Sequence, residues 1–354
     1  MDRPDLMAAS RPIVVNGAFR PQAVSGQQRY AREIADRLVG EAGVTEASPS
    51  GWFARSALRT WAWVFGVLPI RRRSDVLVTL TSRGPLAHPR QVVVVHDLFV
   101  ITNPEWYSRK YVLSHAPLLK AQLRSAKTVA VVSEPVARQV AESGLTRARI
   151  VVAPNAPSAQ FLDAPDAVDQ PLLGRLGITA DRFLLAVGNL DPRKNFDRLA
   201  RAFASLDPAV RAECPLVVVG GVNATVFASV GIEWPTETIL AGYVSDPELA
   251  ALYRSARGVV FPSLAEGFGL PMVEAAVSGA RLSVSDIGVF RWIAGDAVSY
   301  FDPTSVEAIA GALLGLIEAD DDIDESFGAD IRARFDWDQS AATISEASRR
   351  VASQ

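Results

Sequence analysis

Two stretches in the second half of this 354-residue chain combine glycines with charge in the manner of anion-binding loops. The first is SLAEGFGLPMVEAAVSG, Ser263 to Gly279, which follows the apolar run GVVFPS and reads on into a helix. Pro271 suits that helix's first turn and Gly279 its stop. Gly267 and Gly269 permit positive φ and close backbone approach, and the helix start offers unpaired N–H groups to an anion such as a diphosphate. Glu266 and Glu274 flank this cradle, and as carboxylates they would accept hydrogen bonds from hydroxyls. Taken alone, Glu274 reads equally as a charge at a helix N-terminus and Glu266 as a solvated loop acid. The second stretch is VGNLDPRKNFDRLARAF, Val187 to Phe203. Arg193 and Lys194 fall near its helix start, where cations are unfavourable unless an anion sits there. Diphosphate oxygens would supply one, with Lys as a point charge and Arg as a fork; the alternative is a solvated pair. A third candidate is His96, after the run VVVV, which is either a reactive group or a satisfied structural histidine.

The elements that must position these loops are alternating strands and helices, the signature of βα units on parallel sheets. In the first half strands are expected at Pro12–Asn16, Asp75–Leu80, Gln91–His96, Thr128–Ser133 and Ile150–Ala153. Helices are expected near Gln27–Val39, Tyr107–Arg124 and Glu134–Glu142. Prolines 154, 157, 165 and 171 punctuate a stretch that reads as a linker. A second series follows at Phe183–Gly188, Pro215–Gly220, Thr238–Gly242, Gly258–Pro262, Arg281–Ser285 and Ala297–Phe301. Helices fall between these strands, two of them near Asn195–Ser205 and Pro271–Ser278, and a last helix at Trp337–Ala352 ends the chain. The boundaries expected are a first domain over 1–165, a second over 166–335 and a crossover helix over 336–354. Both domains would be doubly wound, with ligands bound at the carboxyl ends of their strands.

Composition narrows the classes. One cysteine, Cys214, rules out an internal disulfide and a multi-cysteine zinc site, and three histidines leave little for a histidine-built metal centre. No export signal or run of 18 apolar residues is present, so a cytoplasmic location is expected. Residues 1–165 hold 21 Lys+Arg against 12 Asp+Glu, and residues 166–354 hold 15 against 27. The basic half would face something anionic, unless the split is merely solvated charge. Within it, GWFARSALRTWAWVFGVLPIRRR, from Gly51 to Arg73, mixes aromatics with arginines. An amphipathic helix over Trp52–Arg73 would suit an anionic membrane surface, or would be an ordinary domain helix with snorkelling arginines. No nucleic-acid module is recognisable. A dinucleotide-dependent dehydrogenase would need G-x-G-x-x-G after the first strand, which NGAFRPQAVSGQQ does not provide.

Over nearly its whole length the chain resembles the family-4 glycosyltransferases of GT-B fold. The resemblance runs through AVSGQQRYAREIADRL, VVVVHDLFVITNPEWYS, VVSEPVARQV, VVAPNAP and LAVGNLDPRKNFDRLARAF. It continues through LAGYVSDPELAALYRSARGVVFPSLAEGFGLPMVEAAVSGARLSVSDIG, IAGDAVSYFDP and FDWDQSA. The HD, PEW and PRKN elements are most like bacterial mannosyl- and rhamnosyltransferases of surface polysaccharide synthesis. The resemblance implies two Rossmann-like domains facing a central cleft, with the C-terminal helix packing back on the first. It implies a retaining, metal-independent, cofactor-free hexosyltransferase. The donor would be a nucleoside-diphosphate sugar, GDP- or dTDP-linked by preference, and the acceptor a glycan or lipid-linked glycan. A donor-binding subunit without turnover is the competing reading.

By the same resemblance Gly26 would approach the donor diphosphate and His96 the transferred sugar, with Asp97 left open. Arg193 and Lys194 would stabilise the leaving nucleoside diphosphate, Glu266 would hold sugar hydroxyls, and Glu274 the ribose. Asn189, Gly267, Phe268, Gly269 and Leu270 complete the implied donor site. Asp320–Asp322 reads as a solvated loop, not a metal site. The chain departs from the family at Asn189, where many members have Arg, and at Trp292, where many have a loop glutamate.

Overall fold

A computed structural model describes residues 11–22, 26–81, 83–162, 169–221, 226–227, 231–320 and 326–354. The chain folds into two compact units. The first comprises Met1–Leu98, Leu113–Pro154 and Trp337–Gln354; the second comprises Phe99–Val112 and Asn155–Asp336.

The first unit is built on a parallel sheet of β1 (Ile13–Asn16), β2 (Val44–Ala47), β3 (Val76–Thr79), β4 (Gln91–Val95), β5 (Thr128–Val131) and β6 (Arg149–Val152). Their order is β2-β1-β3-β4-β5-β6. Every residue of β4 is buried, as the unbroken valine run demands of a strand covered on both faces. Strand β2 was not expected from the sequence. It is a four-residue edge strand with only Val44 buried, so it carries no apolar alternation to read. The helix Gly26–Val39 covers the sheet with Tyr30, Ala31, Ile34, Ala35 and Leu38. The closing helix Trp337–Ala352 packs on this unit. Ser340 Oγ donates to Pro154 O at 2.8 Å, and Arg37 Nε donates to Asp338 Oδ1 at 2.5 Å.

The single amphipathic helix expected over Trp52–Arg73 is corrected. The segment is a 3₁₀ turn (Gly51–Arg55), a short helix (Ala57–Ala62), a π-helical turn (Trp63–Val67) and a further short helix (Leu68–Arg71). Trp63, Val64 and Leu68 pack against Val14, Ala18 and Leu77, so one face is core. The π turn resets the helical phase, which is why a single 3.6-residue period does not fit the stretch.

The second unit holds β7 (Leu184–Val187), β8 (Leu216–Val219), β9 (Thr238–Gly242), β10 (Gly258–Phe261), β11 (Leu282–Ser285) and β12 (Ser299–Phe301). All pairs are parallel, in the order β12-β11-β10-β7-β8-β9. Counted from β7, this is the 3-2-1-4-5-6 order of the Rossmann fold, reversing direction between β7 and β10. Its core gathers Leu184, Ala186, Phe196, Phe203, Leu216, Val260 and Leu313. The expected linker needs correcting where it is described. Asn155 and Ser158 are buried, and the helix Ala159–Leu162 sets Phe161 6.1 Å from the Tyr253 ring. Residues 163–168 of that stretch lie outside the described residues. Trp292, expected in a loop, is in the helix Gly288–Ala294. Asp320 is exposed and accepts from Arg257 Nη2 at 3.3 Å, while Asp321 and Asp322 lie outside the described residues.

Candidate active site

The carboxyl ends of β7 and β10 flank the point where the second sheet's strand order reverses, the position at which open α/β sheets bind ligands. Both charged loops start there. After β7 the chain runs through Gly188 into a 3₁₀ turn, Pro192–Lys194. Asp191 caps that turn, its Oδ1 accepting from Arg193 N at 3.1 Å. Asn195 follows with φ 61°, so the helix begins at Phe196, not at Asn195 as expected. Its side chain donates to Pro262 O at 2.9 Å and to Pro303 O at 2.8 Å, tying the β7 loop to the β10 loop. Leu264 N donates to Arg193 O at 2.8 Å and closes the same seam.

This stitching brings three predicted residues into one cluster. Glu266 accepts from Arg193 Nη1 at 2.5 Å, from Lys194 Nζ at 2.6 Å and from Ser263 Oγ at 2.7 Å. Arg193 Nη1 also donates to Ala265 O at 3.3 Å, and its guanidinium lies 5.8 Å from the Phe99 ring centroid. Burial alone would raise the Glu266 carboxyl pKa; Arg193 and Lys194 outweigh it and hold the pKa at about 2. The anion that justifies two cations before a helix is thus provided by the chain itself. The first effect of Glu266 is to position Arg193 and Lys194. Asp191, 3.6 Å from Arg193 Nη2, goes the other way: burial raises its pKa, against the pull of Arg193 and Lys194. Two cations and two carboxylates share one buried corner, where charge counts for more than in water.

Glycines shape the floor of the cluster. The aliphatic stem of Lys194 crosses Gly188, where a Cβ would sit 3.0 Å from Lys194 Cε. A Cβ on Gly220, at the end of β8, would collide with the Gly188 carbonyl oxygen. Asp191, Ser263, Gly188 and Gly220 were not singled out from the sequence. Asp191 before a proline carries an N-cap signal. The glycines signal only through their places at strand ends, and nothing in the sequence marks Phe99 as a neighbour of Arg193.

The remaining second-unit candidates lie along the β10 loop and its helix, Leu270–Val277. Gly269 has φ 94°, and a Cβ there would meet Phe290 Cε1 at 2.8 Å, so both backbone and space require glycine. The Phe268 side chain is buried, with ring centroids 6.1 Å from Trp292 and 5.2 Å from Phe335. Trp292 also packs on Phe335, with ring centroids 5.5 Å apart, so three aromatic rings brace the glycine loop. Gly267 and Leu270 are half-buried, Glu274 is buried in the helix, and Asn189 is exposed. Gly26 and His96 belong to the first unit. Gly26 opens its helix, and residues 23–25 before it lie outside the described residues. His96 follows β4 with Nε2 3.2 Å from Leu80 O. A carbonyl only accepts, so Nε2 carries the proton and Nδ1 is the acceptor. Burial lowers the His96 pKa to about 4, so the ring is neutral at pH 7. Asp97 beside it is half-buried.

Two doubly wound parallel units with a charged cluster at the second unit's switch point define the class as α/β proteins of GT-B architecture. Residues 174–334 match the family described as Glycosyl transferases group 1. It is 29% identical over 256 residues to the O-antigen chain mannosyltransferase B of Escherichia coli, covering 70% of this chain and 67% of that one. It is 26% identical over 284 residues to the serotype-specific mannosyltransferase WbdA of Escherichia coli, covering 74% of this chain. The match spans only 34% of WbdA. HepE from Anabaena, solved in complex with UDP and glucose, superposes with a TM-score of 0.68 at 18% identity, over 95% of this chain and 98% of that one.

Proposed function

We propose that the protein transfers a hexosyl unit, mannose or rhamnose by preference, from a nucleoside-diphosphate sugar to a glycan or lipid-linked glycan in surface polysaccharide synthesis. The observation that carries this reading is the Arg193–Lys194–Glu266 cluster at the switch point of the second sheet. A departing nucleoside diphosphate gathers negative charge, and fixed buried cations stabilise it most where they need no reorganisation. The mannosyltransferase relatives support the sugar, and the UDP and glucose bound by HepE support a nucleotide-sugar donor. In this reading the reaction retains anomeric configuration, through a short-lived oxocarbenium ion attacked on the leaving-group face. It uses no metal, because Arg193 and Lys194 do the work of charge neutralisation. On the second unit the Gly267–Leu270 backbone approaches the diphosphate and Glu274 the ribose; on the first, neutral His96 accepts a hydrogen bond from a sugar.

GDP or dTDP is expected to raise the melting temperature more than NAD does, because a ligand stabilises the folded state that binds it. Purified protein is also expected to hydrolyse the matching donor slowly, with Lys194→Ala lowering that rate. Stabilisation by NAD equal to or greater than that by the nucleoside diphosphates sinks the assignment. Donor binding with no turnover under any acceptor replaces it with a binding subunit.

A lipid-linked acceptor also calls for work at the inner face of the plasma membrane. Among the described residues no helix is long and apolar enough to cross a membrane. Trp52, Leu58 and Ile70 are 54%, 82% and 76% exposed, beside exposed Arg55, Arg71 and Arg73. That combination suits the surface of an anionic bilayer. The protein is expected to pellet with anionic phospholipid vesicles. Exchange of Arg55, Arg71 and Arg73 for serine should weaken this on the order of a hundredfold, at about 1 kcal/mol per basic residue. Equal pelleting with neutral vesicles contradicts the proposal.

A further inference from the structure

His96 is the one candidate whose surroundings reach back to the end of the chain. Tyr30, on the helix that Gly26 opens, is fully buried and meets the His96 ring edge-on, with centroids 5.0 Å apart and planes at 87°. Its hydroxyl donates to Ala153 O at 3.1 Å, just beyond β6. On the Tyr30 ring packs Trp337, the first residue of the closing helix, at 5.8 Å and 68°. One aromatic ring thus bridges the end of β4, the end of β6 and the C-terminal helix. The imidazole has two anchors: its own Nε2–H on Leu80 O, and the face or edge offered by Tyr30. A five-membered ring held by one hydrogen bond still swings about χ2; an edge-to-face neighbour blocks that swing.

We propose that Tyr30, braced by Trp337, is the positioning residue for His96, fixing the ring so that Nε2–H stays on Leu80 O and Nδ1 stays the acceptor. This rests on the reading of His96 as the group that meets the transferred sugar. The ring of Tyr30, not its hydroxyl, does the positioning, and the C-terminal helix belongs to the His96 site through Trp337. Burial keeps the phenol protonated, so Tyr30 takes no part in proton transfer.

The chain has three histidines, His88, His96 and His115, so the imidazole ¹⁵N spectrum of the whole protein can be assigned by single substitutions. In the wild type His96 is expected to show one protonated nitrogen, Nε2. Tyr30→Phe should keep that pattern and nearly all of kcat. Tyr30→Leu should give exchange-averaged Nδ1 and Nε2 signals, with kcat down roughly ten- to hundredfold and donor KM little changed, as for a small misplacement of a reacting-site group. Trp337→Leu should shift the His96 signals in the same sense, and it serves as the test if Tyr30→Leu does not fold. A native His96 pattern in folded Tyr30→Leu, or in Trp337→Leu should Tyr30→Leu not fold, overturns the proposal. A shifted pattern with kcat unaltered, both there and in His96→Ala, upholds the positioning and instead removes His96 from the reaction.

Discussion

Glu266→Ala should abolish transfer and destabilise the fold by about 3–5 kcal/mol, the range for removing one partner from a buried ion pair. The size follows from what the substitution leaves behind. Glu266 is 7% exposed and accepts from Arg193, Lys194 and Ser263, so its removal strands buried Lys194 and a hydroxyl and takes from half-buried Arg193 its shortest ion pair. Lys194→Ala should cost less stability, because Glu266 keeps Arg193 and Ser263, but should lower kcat/KM by about 10²–10³. The two effects separate in a double variant. Glu266→Ala with Lys194→Ala removes one charge of each sign, so stability should recover by about 1–3 kcal/mol relative to the sum of the single variants, while turnover stays lost. Urea denaturation and donor turnover on the four proteins read both. Glu266→Ala that denatures like the wild type would show the cluster to be solvated and the catalytic reading to be wrong. The acid limb carries a sign as well. Glu266 has a folded pKa of about 2, below its ordinary 4.5, so its contribution is full above about pH 4.5 and lost as pH falls toward 2. Asp191, with a raised pKa, opposes this: its protonated form is favoured by the fold, and it costs stability once pH rises through its folded value.

What the sequence disclosed follows how strongly each element's environment is written into its own residues. Strands buried on both faces, β4, β8 and β10, are near-continuous valine runs and were legible. Edge strand β2 and the π turn at Trp63–Val67 were not, because pairing on one side and a local change of period leave no apolar rhythm. Arg193, Lys194 and Glu266 were visible as charges beside strand ends. That Glu266 pairs with both cations was not, since it depends on β7 and β10 being neighbours in space, a fact of sheet order. For the same reason Phe99 was missed: Phe99–Val112 belongs to the second unit although the first half of the chain encodes it. The place of the closing helix came from family resemblance and not from its own periodicity. Its amphipathic face says that it packs, not on what.

The glycine floor offers the sharpest contrast between adjacent positions. Gly220→Ala is expected to destabilise the protein by roughly 3 kcal/mol and to raise the donor KM at least tenfold. A Cβ at 220 lands on the Gly188 carbonyl oxygen, a backbone atom that no rotamer change moves aside, and the residue has φ 142°. The β7 loop must therefore retreat, and it carries the Lys194 stem that lies over Gly188. A shift approaching 1 Å in a charge-stabilising group is enough for losses near a hundredfold. Gly221→Ala is the control: among the described residues nothing lies within 4 Å of its Cβ position, and its backbone is not in the left-handed region. It should leave melting and KM unchanged. Thermal melts and donor titrations on the two variants decide the matter, because the substitutions are chemically identical and one residue apart. Should Gly220→Ala behave like Gly221→Ala, the close approach of β8 to the β7 loop is not what holds Lys194 in place. A loss confined to Gly220→Ala ties the cation's position to the packing of Gly220 on Gly188.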